Sequence, residues 1–391
     1  MRIWGLALAA ALLAGCASAP LTDRPDVYPT QPAQAVPLED QQVLFWDDAT
    51  RTDRFRRMED IFAGIETAPA DDVRELPPGE PFDAATLAKV DGYLMAMNAA
   101  GIMVLQDGKV RLEKYRLGFG PEQRWTSFSV AKSFTSTLLG AALKDGSIAS
   151  LDDPVTRYLP ELAGTAYDGV TVAQVATMTS GVKWNEDYAD PESDVARMLS
   201  VAPVQGESQA VTYARTLTRE APAGEKWVYK TLETNLLGDI VAAATGKTLA
   251  AYAKEKIVDP AGFAGGLFWM TDLTGGNIGG CCLSIRLADY ARMGQWVLEG
   301  GQPSVPEGWF AQAGAAQVDL GKGFGYGYQW WTYPGGFYGA QGIFGQYITI
   351  VPEQDMVVAV VSNYPTATGE GLTQARMGLW QTLIEAGANP L

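Results

Sequence analysis

Ser129 and Lys132 stand three residues apart at the head of a segment whose apolar positions Val130, Phe134, Leu138 and Ala142 recur at helical spacing. On a helix that spacing puts the hydroxyl and the amine on one face, one turn apart. A serine hydroxyl is a poor nucleophile until a base takes its proton, and a lysine withdrawn from water can have its pKa lowered enough to serve. A helix start also favours developing negative charge. The pair therefore reads as a nucleophile with its base. The same spacing recurs in Ser180-Gly181-Val182-Lys183. There Trp184-Asn185-Glu186-Asp187 and Pro191 follow, which break a helix rather than extend it, so Ser180 and Lys183 are not expected to share a face.

The chain of 391 residues contains no histidine, which removes the residue most used for general-base work and the commonest metal ligand. A Ser-His-Asp arrangement is excluded. With one of the three cysteines expected to be lipidated, only Cys281, Cys282 and carboxylates remain as ligands, which argues against a catalytic zinc; no metal and no organic cofactor is expected. The neighbouring pair rarely has the geometry for an unstrained mutual disulfide, and it reads as two small buried residues beside Gly279-Gly280. A formal net charge of −16, spread without long single-sign blocks, repels phosphate backbones and argues against nucleic acid as a partner.

The elements that must position Ser129 follow from the periodicities. Met1-Arg2 and the apolar run from Ile3 to Leu13 have the form of an export signal, too short to span a membrane. The run ends in Leu13-Ala14-Gly15-Cys16, which resembles the lipobox of bacterial lipoproteins and implies lipid on Cys16, a membrane-held mature chain in the envelope, and a signal over 1–15. The polar, proline-rich residues 16–40 then read as a poorly ordered tether, and Val43-Leu44-Phe45-Trp46 with the segment Phe55 to Ile65 as an arm docked on the body. Ile102–Leu105 and Val110–Tyr115 flank the turn signal Asp107-Gly108, and Tyr347–Val351 and Met356–Ser362 flank Pro352 to Asp355; both read as hairpins. Gly369 to Ala386 reads as a closing helix. Residues 41–150 and 285–391 are thus expected to share one α/β sheet domain, with 151–284 an inserted helical lobe.

The segment Trp125-Thr126-Ser127-Phe128-Ser129-Val130-Ala131-Lys132-Ser133-Phe134-Thr135-Ser136 closely resembles the nucleophile segment of the serine β-lactamase, penicillin-binding-protein and esterase superfamily, on its class C and 6-aminohexanoate-dimer hydrolase-like branch. In that family a tyrosine opens a second motif, and Pro222-Ala223-Gly224-Glu225-Lys226-Trp227-Val228-Tyr229, with Glu233-Thr234-Asn235-Leu236-Leu237-Gly238 after it, matches the pattern. The resemblance implies that Tyr229 relays the serine proton, its anion favoured beside a cationic lysine. The third motif falls on Ala340-Gln341-Gly342, followed by Ile343. By that match the backbone N–H groups of Ser129 and Ile343 form an oxyanion hole, and Gly342 permits close backbone approach. Tyr188 falls where the amide-hydrolysing relative keeps a tyrosine that helps the leaving amine, or it is a solvated loop residue. The resemblance implies a mixed, mainly antiparallel sheet flanked by helices, with the cleft against the helical lobe.

Two departures bear on substrate. β-lactamases of this family carry asparagine two residues after the tyrosine and lysine at the head of the third motif, where this chain has Thr231 and Ala340. Without that lysine the cleft is expected to lack the cation that meets a penicillin carboxylate. Lys230 reads as a surface residue. Trp330, Trp331, Tyr326 and Tyr328 form either an aromatic wall of the cleft or part of the core. The expected chemistry is acyl transfer on small carboxylic esters and, by extension, short linear amides; the alternatives are an amidase or a weak β-lactamase or D-peptidase of the same fold, or a non-catalytic envelope lipoprotein that binds peptides or glycans.

Overall fold

A computed structural model of the chain describes residues 26–30 and 41–388. Its strands are β1 (Val27–Thr30), β2 (Gly64–Thr67), β3 (Ala99–Gln106), β4 (Lys109–Tyr115), β5 (Arg124–Thr126), β6 (Leu267–Met270), β7 (Leu283–Arg286), β8 (Val318–Gly321), β9 (Phe324–Tyr326), β10 (Trp331–Thr332), β11 (Tyr338–Gly342), β12 (Gln346–Val351) and β13 (Met356–Ser362). They form an eight-stranded sheet in the order β4-β3-β13-β12-β11-β10-β9-β8 and a five-stranded sheet in the order β1-β2-β6-β7-β5. The expected α/β architecture of antiparallel strands flanked by helices is present. The larger sheet draws strands from both ends of the chain, β13 pairing antiparallel with β3.

β13 is apolar at every position but its last because it is covered on both faces. Its side chains alternate, with Met356, Val358 and Val360 entering one core and Val357, Ala359 and Val361 the other. Helix Leu287–Leu298 packs on the second of these faces, while helices Ala84–Ala96 and Glu370–Ala388 pack together on the first. Both expected hairpins form, as β3–β4 and β12–β13.

Helix Val130–Lys144 is buried on every side through Ala142, not only along the stripe seen in the sequence. Its hydroxyl residues make this possible by bonding carbonyls: Ser133 to Gln329 O (2.7 Å), Ser136 to Tyr328 O (2.6 Å) and Thr135 to Gly279 O (2.7 Å). Three boundaries differ from expectation. β6, and β7 up to Ser284, fall inside the range read as a helical lobe, yet they pair with β2 and β5 to complete the second sheet. Val27–Thr30, in the stretch read as tether, pair with β2; the β-prone Val27-Tyr28 and a buried Val27 account for this. Cys16 and the remainder of 1–40 lie outside the described residues. Cys282 is buried as expected, and the sulfurs of Cys281 and Cys282 lie together with Cα–Cα 3.3 Å, shorter than the separation an unstrained disulfide spans.

Candidate active site

Strand β5 delivers the nucleophile turn. Ser127 fixes it to β7, its N–H donating to Leu283 O (2.7 Å) and its Oγ accepting from Leu283 N (2.8 Å). Phe128 then adopts φ 43°, a left-handed conformation that costs a bulky residue about 1–3 kcal/mol and persists only where surroundings enforce it. Ser129 follows at the helix start. Its hydroxyl makes no capping bond to the helix and lines the cleft together with Tyr229, whose charged form it favours. The rival pair is separated as the sequence indicated, with Ser180 buried against Glu233 and Lys183 exposed.

Lys132 is 1% exposed. Burial lowers its pKa from 10.5 to about 7, with Glu186 working in the opposite direction. Its amine donates to Thr231 Oγ1 (3.0 Å) and Gly280 O (2.9 Å) and lies 5.3 Å from the centre of the Tyr229 ring. Thr231 thus holds the lysine at the position where asparagine was noted as missing. A Cβ on Gly280 would stand 3.0 Å from the lysine Nζ and 2.9 Å from Thr231 O, so only glycine lets this loop close over the amine. Tyr229 moves against expectation. Burial first, then the Glu186 charge, pushes its pKa well above the usual value for a phenol, with Ser129 opposing. Near neutral pH a substantial fraction of the Lys132 amine is therefore unprotonated, while Tyr229 remains a neutral phenol.

Glu186 is the residue that sequence reasoning passed over. Its Oε1 accepts from Tyr188 OH (2.8 Å) and from the Thr231 hydroxyl, and its Oε2 accepts from Thr231 N (2.9 Å) and from the Trp184 indole. One carboxylate so ties the Tyr188 loop to the residue that holds Lys132. Tyr188 itself lines the cleft. The signal available was position, since Glu186 sits two residues before Tyr188 in the loop already singled out. Lys230, read as a surface residue, is fully buried and lies 3.5 Å from Glu233, where it anchors the start of helix Thr231–Thr245 directly after Tyr229.

Opposite Ser129, β11 brings in Gln341, Gly342 and Ile343, all of which line the cleft. A Cβ on Gly342 would lie 2.5 Å from Ser127 O and 3.0 Å from Ser129 N, which is the close approach expected of that glycine. Among the described residues neither the Ser129 nor the Ile343 amide donates to the protein, leaving both for a substrate oxygen. Phe344 next to it also has positive φ, 57°. The two strained phenylalanines touch at 5.5 Å between ring centres, and Phe55 covers both at 5.0 and 5.6 Å. Arg51 stacks over Phe344 at 4.8 Å. The aromatic cluster divides: Trp331 lines the cleft and stacks on Tyr229 at 5.7 Å, whereas Trp330, Tyr326 and Tyr328 are buried in the core. The cleft, about 400 Å³ in volume, is closed by Tyr364 to Arg376 from the end of the chain.

The Beta-lactamase family matches residues 88–270 and 284–377. The chain belongs to that family. Over 297 residues it is 32% identical to 6-aminohexanoate-dimer hydrolase of Paenarthrobacter ureafaciens, covering 67% of this chain and 72% of the relative. A solved structure from Bacillus anthracis, described as a 6-aminohexanoate-dimer hydrolase, superposes with a TM-score of 0.77 at 20% identity, over 86% of this chain and 94% of that one. EstCE1, a hydrolase with promiscuous acyltransferase activity, superposes at 0.62 and 15% identity, over 78% and 98%. The protein is a serine hydrolase of this family.

Two outcomes follow from the geometry. If neutral Lys132 receives the serine proton, kcat/KM rises with pH through about 7 and levels off above it; a flat profile between about pH 5 and 9, with turnover still dependent on Ser129, would refute that assignment. Gly342→Ala must push β11 away from the Ser129 amide, and turnover is expected to fall about a hundredfold. An unchanged rate would show that the two backbones do not act together.

Proposed function

We propose that the protein hydrolyses small carboxylic esters through an acyl-enzyme on Ser129. The observation that carries this reading is the Ser129 hydroxyl lining the cleft with Tyr229, one helical turn from the buried Lys132 amine and beside two backbone donors not used within the described residues. Ser129 Oγ attacks the substrate carbonyl while its proton passes to the Tyr229–Lys132 pair. The oxyanion rests on the Ser129 and Ile343 amides. As the tetrahedral adduct collapses, the C–O or C–N bond breaks and the pair returns the proton to the leaving group. Water then repeats the sequence on the acyl-enzyme and frees Ser129.

Short linear amides are the second reading, favoured by the amide-type relative and by Tyr188, whose hydroxyl stands in the cleft on Glu186. Efficient β-lactam hydrolysis is not expected, because a buried Ala340 stands where the family's β-lactamases carry the lysine that opens the third motif. Lipidation of Cys16 and attachment to an envelope membrane extend the proposal to the whole chain and rest on the Leu13-Ala14-Gly15-Cys16 signal.

Residues from Ala17 onward should turn over 4-nitrophenyl esters faster than nitrocefin, and Ser129→Ala should abolish that turnover together with labelling by a fluorophosphonate. Labelling absent from the unmutated protein would instead favour a peptide- or glycan-binding protein with a silent cleft. Intact mass of the full-length protein purified from membranes is expected to show an acylated chain beginning at Cys16; an unmodified Cys16, or another first residue, would end the anchor proposal.

A further inference from the structure

A cluster of buried polar side chains lies directly behind Tyr229 and takes no part in the chemistry proposed for Ser129. Lys230 and Glu233 are both fully buried and lie 3.5 Å apart. Ser180 donates to Glu233 Oε1, as does Tyr167 at 3.5 Å, so the serine of the rival Ser180–Lys183 pair is engaged here. The Lys230 amine also donates to Val228 O (3.2 Å) and Met178 O (3.4 Å), and its backbone N–H meets the Met178 sulfur at 3.3 Å. Met178 holds φ 59°, a conformation its surroundings must enforce, and its carbonyl receives Val228 N as well (3.2 Å). One ammonium thus pins the loop that leads to Ser180 onto the segment that carries Tyr229. Stability alone does not account for it, because an apolar residue of similar volume often replaces a buried ion pair without loss. The second oxygen of Glu233 is moreover buried without a partner, and burial raises its carboxyl pKa to about 7 with Lys230 opposing. What such a pair adds over apolar packing is a defined geometry.

Lys230 is extended, with φ −137° and ψ 106°, and side chains along an extended backbone alternate in direction. Tyr229 and Thr231 therefore leave the chain on one side and Lys230 on the other. The first two meet the same amine: Lys132 Nζ lies 5.3 Å from the centre of the Tyr229 ring and donates to Thr231 Oγ1 at 3.0 Å. We infer that Lys230 is a positioning residue of the hydrolytic reaction, its buried ammonium held between Met178 O, Val228 O and Glu233 so as to fix the backbone from which Tyr229 and Thr231 both reach Lys132. The inference rests on the hydrolase reading of Ser129 and adds to it a residue that touches neither substrate nor reacting atoms. An apolar side chain can fill the space of Lys230 but cannot bond three acceptors at once. A turn of this backbone moves Tyr229 and Thr231 together, so the phenol and the hydroxyl lose Lys132 in one step, and misplacement by about 1 Å is enough to cost about a hundredfold in rate. Thr231 N is held by Glu186 Oε2 (2.9 Å), so the segment is gripped by Glu186 from the cleft and by Lys230 from the core.

The test uses Lys230→Met, which keeps the length of the side chain and removes its donors, and Lys230→Met/Glu233→Gln, which leaves no bare buried carboxylate. With 4-nitrophenyl esters, Lys230→Met is expected to lower kcat about 10- to 100-fold while KM stays within about twofold. The double variant should regain the thermal midpoint lost by Lys230→Met but not the lost kcat, because the bonds to Met178 O and Val228 O remain absent. The rise of kcat/KM with pH, centred near 7 in the unmutated protein, should move to higher pH in the double variant, as Thr231 releases Lys132 toward water. Recovery of kcat together with the thermal midpoint would show a role in stability alone and overturn the inference, as would an unchanged kcat and pH midpoint in folded Lys230→Met. Should Lys230→Met fail to fold, the double variant decides by the same measures. Should the unmutated protein turn over no ester, the hydrolase reading fails on its own, and a crystal structure of the double variant still decides for Lys230. A Thr231 Oγ1 to Lys132 Nζ separation opened beyond hydrogen-bond reach supports the clamp, and one still at 3.0 Å refutes it.

Discussion

The withdrawal of one amine from water is the constraint on which the site depends. A fall from 10.5 to about 7 in the Lys132 pKa corresponds to roughly 5 kcal/mol against its charged form, and the surrounding structure must supply that much. The helix carrying it is enclosed by Thr231–Thr245 and by the Gly279-Gly280 turn, its hydroxyls satisfied by carbonyls so that no solvent need enter. In the proposed mechanism Lys132, its basicity set by packing, stands where histidine commonly serves. By that proposal a chain without histidine gains a base near neutrality by burying a residue that is ordinarily charged.

A second constraint acts on the backbone. Phe128 and Phe344 both hold left-handed conformations on either side of the proposed oxyanion donors, and neither would do so alone. Their rings are pinned by Phe55. Arg51, from the same arm, reaches Asn363 Oδ1 (2.7 Å) and Trp46 O (2.8 Å). The loop from Tyr364 onward is bound in turn to Phe344, through bonds of Tyr364 N to Phe344 O (3.0 Å) and Phe344 N to Ala367 O (3.0 Å). The N-terminal arm is thus part of the active-site frame and not a peripheral strap.

Much of this was legible in the sequence, and the remainder had identifiable reasons for being hidden. Ser129 and Lys132 were found because helical spacing is local, and the Ser180–Lys183 decoy was rejected on equally local signals. Tyr229, Gly342 and Ile343 needed the family resemblance, since nothing near them in sequence announces a cleft. Glu186 and Arg51 were missed because their roles depend on contacts across long separations, Glu186 with Thr231 and Arg51 with Asn363. Lys230 was misjudged because composition places lysine outside, and a buried acid 3 positions later has no periodic signature. The direction of the Tyr229 shift was misjudged because the charge it was assumed to face, a protonated Lys132, is itself suppressed by the same burial. β6 was absorbed into the helical lobe because four buried apolar residues, Leu267–Met270, carry no alternation to mark a strand.

The pairing of β3 with β13 joins residues about 250 positions apart. A ribosome or a translocation channel releases these strands at widely separated times, so β3 must wait with its central edge unpaired until β13 arrives. The Phe55–Phe128–Phe344 contact imposes the same delay on the oxyanion donors. Hydrolytic competence is accordingly acquired last in the life of a newly made molecule, and a chain cut short before β13 is not a weaker enzyme but an unassembled one, with an exposed sheet edge open to self-association.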